Sequence, residues 1–221
     1  MFKPLGDSAL LIQLGDEIDP IINQRVHALN SLLQNINGII ETVPAYCTLL
    51  VHYDINFSYQ HIKAIVQEKI NQVNDSFQIT ARRHEVPIRY GGASTDLEII
   101  STTLNLSISE IIKIHSEKEY QIYMMGFTPG FPYMGILDSR LQMPRLQTPR
   151  TLVQAGSVAM AGFQTGIYPL DSPGGWNILG WTPLKLFDPH SDTPFLFSPG
   201  DVVKFVPMES NSLLFEREQA P

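Results

Sequence analysis

The sequence predicts an α+β fold in two parts. A ferredoxin-like βαββαβ domain is expected over residues 1–90, a β-barrel domain over 119–221, and a helical linker over 91–118. Two observations carry this prediction. Residues 1–120 hold 23 of the 37 charged residues but only 4 of the 16 prolines, whereas 121–200 hold 10 prolines, 10 of the 15 glycines and 8 charges. Gly and Pro interrupt helices and mark turns, so the second region reads as strands and tight loops. The first region instead alternates short apolar runs with stretches of helical periodicity.

Ser8–Leu14 is a short apolar run stopped by Gly15, which is a strand by length and flanks. Asp19-Pro20 then opens a helix, a capping side chain followed by Pro at the first position. Ile22, Val26, Leu29, Leu32 and Leu33 recur at spacings of three and four and give it one apolar face, and Asn37-Gly38 closes it. Ile39–Val43 and Cys47–Tyr53 read as strands around Pro44. A second helix has Ile62, Ile65, Val66, Ile70 and Val73 on its inner face, and Glu85–Tyr90 is the last strand. That order is the split βαβ pattern. Thr95-x-x-Glu98 and Ser107-x-x-Glu110 have capping-box spacing, so two short helices follow. Beyond His115 the strands are Tyr120–Met125, Ser157–Ala161, Leu184–Phe187 and Val202–Pro207, separated by turns at Thr128–Pro132, Asp171–Gly175 and Ser198–Asp201. Short strands joined by Gly/Pro turns point to a closed or nearly closed barrel.

Composition excludes several function classes. A formal net charge of −7 argues against a general nucleic-acid binder. No run of about 18 apolar residues occurs, so no membrane-spanning segment is expected. The N-terminus lacks the pattern of a signal peptide, and the single cysteine, Cys47, excludes an internal disulfide and a cysteine-based zinc site. A cytoplasmic protein is expected. The sequence has no Walker loop, no dinucleotide fingerprint and no paired-histidine metal motif. Tyr90–Thr95, with Gly91-Gly92, is the nearest approach to a phosphate cradle, but Asp96 and Glu98 in the following turn would repel an anion. Ala155-Gly156-Ser157-Val158-Ala159 lacks the second glycine of a nucleophile elbow. Cys47 reads as a core residue.

The informative stretch is 123–183. It contains Gly126-Phe127 with Pro129-Gly130-Phe131-Pro132-Tyr133, then Pro144-Arg145, Pro149-Arg150 and Ala155-Gly156-Ser157. It continues through Gln164-Thr165-Gly166-Ile167-Tyr168-Pro169 and Ser172-Pro173-Gly174-Gly175-Trp176. These linked motifs resemble the family variously called allophanate hydrolase subunit 1, sporulation histidine kinase inhibitor and the B subunit of 5-oxoprolinase. The resemblance implies that the second domain is a cyclophilin-like β-barrel. The chain departs from the family pattern at Gln154, where Pro is usual, at Met134-Gly135-Ile136, and at Trp181, where the family usually carries Arg. An indole offers one donor and a π-face in place of a planar fork.

Each motif has a structural reading beside a functional one. Ser172-Pro173-Gly174-Gly175 is either a tight turn with positive-φ glycines or a place where a ligand or partner backbone comes close. Phe127, Phe131, Tyr133, Tyr168 and Trp176 are either barrel core or the walls of a groove in which Gln164 would be a fixed polar group. Arg145 and Arg150 either bond loop carbonyls or form bidentate forks for a carboxylate or phosphate; their placement in a charge-poor region favours the groove. His115, at a helix end, is either a cap or a general acid or base. The candidate substrate or partner groove is therefore Phe127, Phe131, Tyr133, Arg145, Arg150, Ser157, Gln164, Tyr168, Gly174, Gly175 and Trp176, with no catalytic residue assigned and no metal ligand.

The resemblance implies a non-ATP-binding subunit of a bacterial ATP-dependent 5-oxoprolinase, which converts 5-oxoproline to glutamate and is inactive alone. Its partners would be subunit-A-like and subunit-C-like proteins, and ATP and a divalent metal would belong to the complex. The alternatives are an inhibitor of a sensor histidine kinase, with that kinase as partner, and an allophanate or urea-type hydrolase subunit.

Overall fold

The computed structural model describes residues 1–73, 81–92 and 94–208. The chain divides into two compact units, Met1–Ala81 and the remainder from Arg82.

The first unit contains β1 (Phe2–Leu5), β2 (Ala9–Gln13), α1 (Pro20–Leu33), β3 (Ile39–Pro44), β4 (Thr48–Tyr53) and α2 (Tyr59–Gln72). Asp19 caps α1 as its sequence predicts, accepting from the Ile21 and Ile22 amides at 2.8 and 2.9 Å. Ser58 caps α2 through the His61 amide. The apolar faces of both helices meet alternate residues of the sheet: Leu10, Ile12, Leu49 and Val51 pack with Val26, Leu29, Leu33, Ile62 and Val66. Each such side chain contributes roughly 1.5–3 kcal/mol on burial. Asn23, fully buried on α1, donates to the Ala45 and Tyr46 carbonyls at 3.1 Å each and so pins the helix to the β3–β4 turn.

The expected βαββαβ order is not what forms. The sheet is antiparallel throughout in the order β1-β2-β4-β3, and the strand expected to complete it lies in the second unit. That strand, β5 (Arg83–Tyr90), buries Val86 and Ile88 in the barrel core and pairs in parallel with Val202–Pro207, the last strand among the described residues. The place left open at the sheet edge is filled by β1, whose sequence FKPL has no apolar alternation to announce it.

The second unit continues with α3 (Leu97–Leu104), α4 (Ile108–Glu117), β6 (Glu119–Met125), β7 (Pro132–Gly135) and a 3₁₀ turn at Ser139–Leu141. Then follow β8 (Arg150–Val153), β9 (Ser157–Ala161), β10 (Gln164–Ile167), β11 (Ser172–Gly174), β12 (Asn177–Trp181) and β13 (Val202–Pro207). Seven strands close a barrel in the order β10-β7-β6-β13-β5-β12-β9, and β8 pairs with β11 as a separate ribbon. The expected turn at Asp171–Gly175 thus contains β11. The expected strand Leu184–Phe187 does not form; Phe187 makes only an isolated bridge to Phe195.

The helices expected as a linker are part of this unit, since Leu97, Ile100 and Ile111 belong to the barrel's apolar core. Ser107 and Glu110 make the expected capping box. Thr95 does not cap α3: its hydroxyl donates to the Gly92 carbonyl, and Asp96 takes the cap position without a side-chain cap bond.

His115 is fully buried where α4 meets the barrel, stacked on Phe205 of β13. Thr165 Oγ1 donates to the Ala159 carbonyl and therefore accepts from His115 Nε2 at 2.9 Å. That leaves Nδ1 to accept from the Tyr90 hydroxyl at 2.7 Å. Burial drives the imidazole pKa down to about 3, so it stays neutral at physiological pH.

Asp201 ties the start of β13 to that of β5. Its carboxylate is buried and accepts from the Arg82 guanidinium at 2.8 Å, the Ser198 amide at 2.9 Å and His84 Nε2 at 2.9 Å. Burial alone would push this carboxyl up, but the bonds from Arg82, Ser198 and His84 outweigh it and hold the pKa below the ordinary carboxylate value. Its stabilising contribution is complete above the ordinary Asp range, about pH 4. It is lost as the pH falls through the lowered native value. Since Arg82 is half exposed, Asp201→Asn should cost about 1–3 kcal/mol near neutral pH in denaturant melts. The gap between Asn and wild type should shrink at acid pH; a pH-independent gap would contradict this account.

Candidate functional site

An aromatic groove of about 240 Å³ opens on the second unit, beside the β8–β11 ribbon. Phe131, Tyr168 and Trp176 form its buried floor, with Phe131 edge-on to Tyr168 at 5.2 Å and to Trp176 at 5.5 Å between ring centres. Tyr133 packs against both Phe131 and Trp176. Phe127 stands at the rim, 64% exposed, with a positive φ of 67° in the Gly126–Gly130 turn. Burial raises the pKa of the Tyr133 and Tyr168 phenols, so both remain protonated at neutral pH.

Gly174 and Gly175 line the same groove, and neither lies in the positive-φ region. The reason for glycine at 174 is a close approach. A Cβ there would collide with the Tyr168 hydroxyl, so the ribbon sits against the phenol only with a hydrogen in that place. At Gly175 a Cβ would make ordinary contacts with Pro149.

The two candidate arginines part company. Arg145 is exposed at the groove edge with its guanidinium 5.9 Å over the Trp176 ring, a cation–π arrangement, and it has no carboxylate partner among the described residues. Arg150 does not line the groove. It forms an ion pair with Asp96, whose side chain is 4% exposed, and donates from Nη1 to the Trp176 carbonyl at 3.4 Å. The other Asp96 oxygen accepts from the Ile178 amide at 2.6 Å, and the Asp96 amide donates to the Ile178 carbonyl. The paired forks expected of Arg145 and Arg150 are therefore not formed, because a buried carboxylate has already taken one of them.

Of the remaining candidates, Ser157 begins β9 and lines a second, more polar cavity together with Arg150. Gln164 begins β10, half-buried, opposite Gly135 and Ala161, and lines neither cavity. Trp181, in the family's arginine position, packs over Gly156 and donates its indole N–H to the Ala155 carbonyl at 2.8 Å. His115 lines neither cavity, and both its ring nitrogens are engaged. Asp96 is the site residue that sequence reasoning missed. It was visible only as a charge in a helix's first turn, and nothing local announces that β12 and Arg150 converge on it.

Nothing in the described part of the Tyr90–Thr95 turn fits a triphosphate, for it brings no cation, and Arg150 nearby is held by Asp96. No group of three or more His, Cys, Asp or Glu among the described residues is placed to hold a metal ion.

Residues 1–197 match the family model described as carboxyltransferase domain, subdomain C and D. The chain belongs to this family. Among its relatives, the B subunit of 5-oxoprolinase from Bacillus subtilis (strain 168) is 41% identical over 218 residues, covering 92% of this chain and 91% of that one. The protein of the same name from Escherichia coli O157:H7 is 35% identical over 208 residues, covering 93% and 94%. The crystal structure of TTHA0988 superposes with a TM-score of 0.80 at 37% identity. It covers 95% of this chain, which spans only 40% of that longer one.

The different contacts of the two arginines in this member of the carboxyltransferase subdomain C and D family predict different effects of substitution. Lysine in place of Arg150 cannot serve both Asp96 and the Trp176 carbonyl, so Arg150→Lys should lower stability by about 1–3 kcal/mol. Arg145→Lys, at an exposed position, should stay within about 0.5 kcal/mol of wild type. Equal losses in thermal or urea melts would contradict the assignment.

Proposed function

We propose that this chain is the non-ATP-binding B subunit of a bacterial ATP-dependent 5-oxoprolinase, a cytoplasmic complex that opens 5-oxoproline to glutamate. The observation that carries the proposal is identity of 35–41% to proteins of that name, sustained over about 92% of the chain. ATP and a divalent metal would be held by the partner subunits, and this chain alone would be inactive.

Within such a complex the aromatic groove would receive the substrate. 5-Oxoproline is a small lactam carrying one carboxylate. Tyr133 and Trp176 offer flat apolar walls for the ring, and Arg145 at the rim offers a guanidinium that no carboxylate of the described residues occupies. The chain's part is then binding and orientation, with no proton-transfer residue assigned to it.

A subunit-C-like partner would cover the second unit, with a subunit-A-like protein completing the complex. Phe127, Leu152, Phe163 and Phe195 there are 64%, 58%, 54% and 47% exposed, large apolar side chains that a partner could cover. The greater length of TTHA0988 also supports further domains working beside this one. Among the described residues no helix is long and apolar enough to cross a membrane.

The test is reconstitution. The pure chain should show no ATP-dependent turnover of 5-oxoproline, and the complex co-purified with its A-like and C-like partners should. In the complex, Arg145→Lys should lower kcat/KM about tenfold, or roughly 1.4 kcal/mol of transition-state stabilisation. Turnover by the chain alone, or a fully active Arg145→Lys complex, would contradict the proposal.

A further inference from the structure

The second cavity is separate from the aromatic groove. It encloses about 380 Å³, and its wall is hydrogen-bonding in character: Ser94, Thr95, Arg150, Gln154 and Ser157 face an aliphatic side formed in part by Leu152. Ser157 is 6% exposed and lines this cavity with a hydroxyl that can both donate and accept. Thr95 gives its hydroxyl proton to the Gly92 carbonyl at 3.0 Å, which leaves its lone pairs free to accept. Arg150 spends one N–H on Asp96 and one on the Trp176 carbonyl, and its other donors remain. Asp96 does not line the cavity, so the space faces the positive end of that ion pair.

We propose that this cavity is a second ligand site, for a small carboxylate of amino-acid size. The carboxylate oxygens would accept from Arg150 and Ser157. An amine or amide N–H would donate to Thr95 and Gln154, and the aliphatic part of the ligand would lie against Leu152. A single negative charge suits the site better than a phosphate dianion, because Asp96 already offsets the guanidinium. The site shares no lining residue with the aromatic groove, so it stands whether or not the chain is a 5-oxoprolinase subunit.

The chain carries two tryptophans, and Trp181 pairs in register with Ser157. In a Trp176→Phe background the remaining indole therefore reports on this cavity. Titration of that full-length variant with L-glutamate should saturate with a Kd of about 1 mM or tighter, the equivalent of about 4 kcal/mol. Ser157→Ala and the exposed Gln154→Ala should each weaken binding at least about fivefold, the effect of one lost hydrogen bond. Arg145→Ala should leave it unchanged. The proposal is overturned if L-glutamate does not saturate, or if both cavity variants bind like wild type. It is equally overturned if Arg145→Ala abolishes binding, or if inorganic phosphate competes more tightly than glutamate.

Discussion

One ion pair, with its carboxylate buried and its guanidinium partly exposed, organises the working face of this protein. Asp96, at the start of α3, receives Arg150 from β8 and the Ile178 amide from β12, and returns its own amide to the Ile178 carbonyl. Three elements that are distant in sequence are thereby fixed at one point. Arg150 in turn holds the Trp176 carbonyl, and Trp176 is both a groove wall and the platform for Arg145. A buried pair of this kind adds little stability over well-packed apolar residues, because desolvation offsets the attraction. Its value here is geometric: it sets where an aromatic wall and an exposed cation stand.

Around that point the second unit separates structural from available chemistry. His115, Tyr90 and Thr165 form a closed hydrogen-bond chain in which every donor has its acceptor. The imidazole is neutral and fully buried, and both its nitrogens are engaged within the barrel. Asp201 likewise spends its charge on joining β5 to β13. What remains open to solvent near the cavities is a short set: Arg145 at the groove, and hydroxyl and amide groups beside Arg150. That inventory suits binding and orientation.

Much of this was legible in the sequence, and the failures have physical causes. Asp19-Pro20 and Ser107-x-x-Glu110 carry their meaning locally, and both act as read. The groove aromatics stood out through the linked motifs of 123–183, which left core and groove both open; in the fold Phe131, Tyr168 and Trp176 are buried and also line the groove. The assignment of β5 failed because an alternating strand does not state which sheet it joins; its partner β13 lies more than a hundred residues away. Likewise β1 and β11 form by edge pairing alone, with no apolar alternation to mark them. Arg150 looked like the twin of Arg145, since both follow proline. Only the fold brings Asp96 to one of them and leaves the other over an indole.

The central claim is that Asp96 and Arg150 act as one unit, and a double-mutant cycle measures that directly. Asp96→Ala, Arg150→Ala and the double variant would be compared with wild type in urea unfolding. A coupling energy above about 1.5 kcal/mol is expected, with the double variant little worse than either single one. Additive losses with coupling near zero would contradict it.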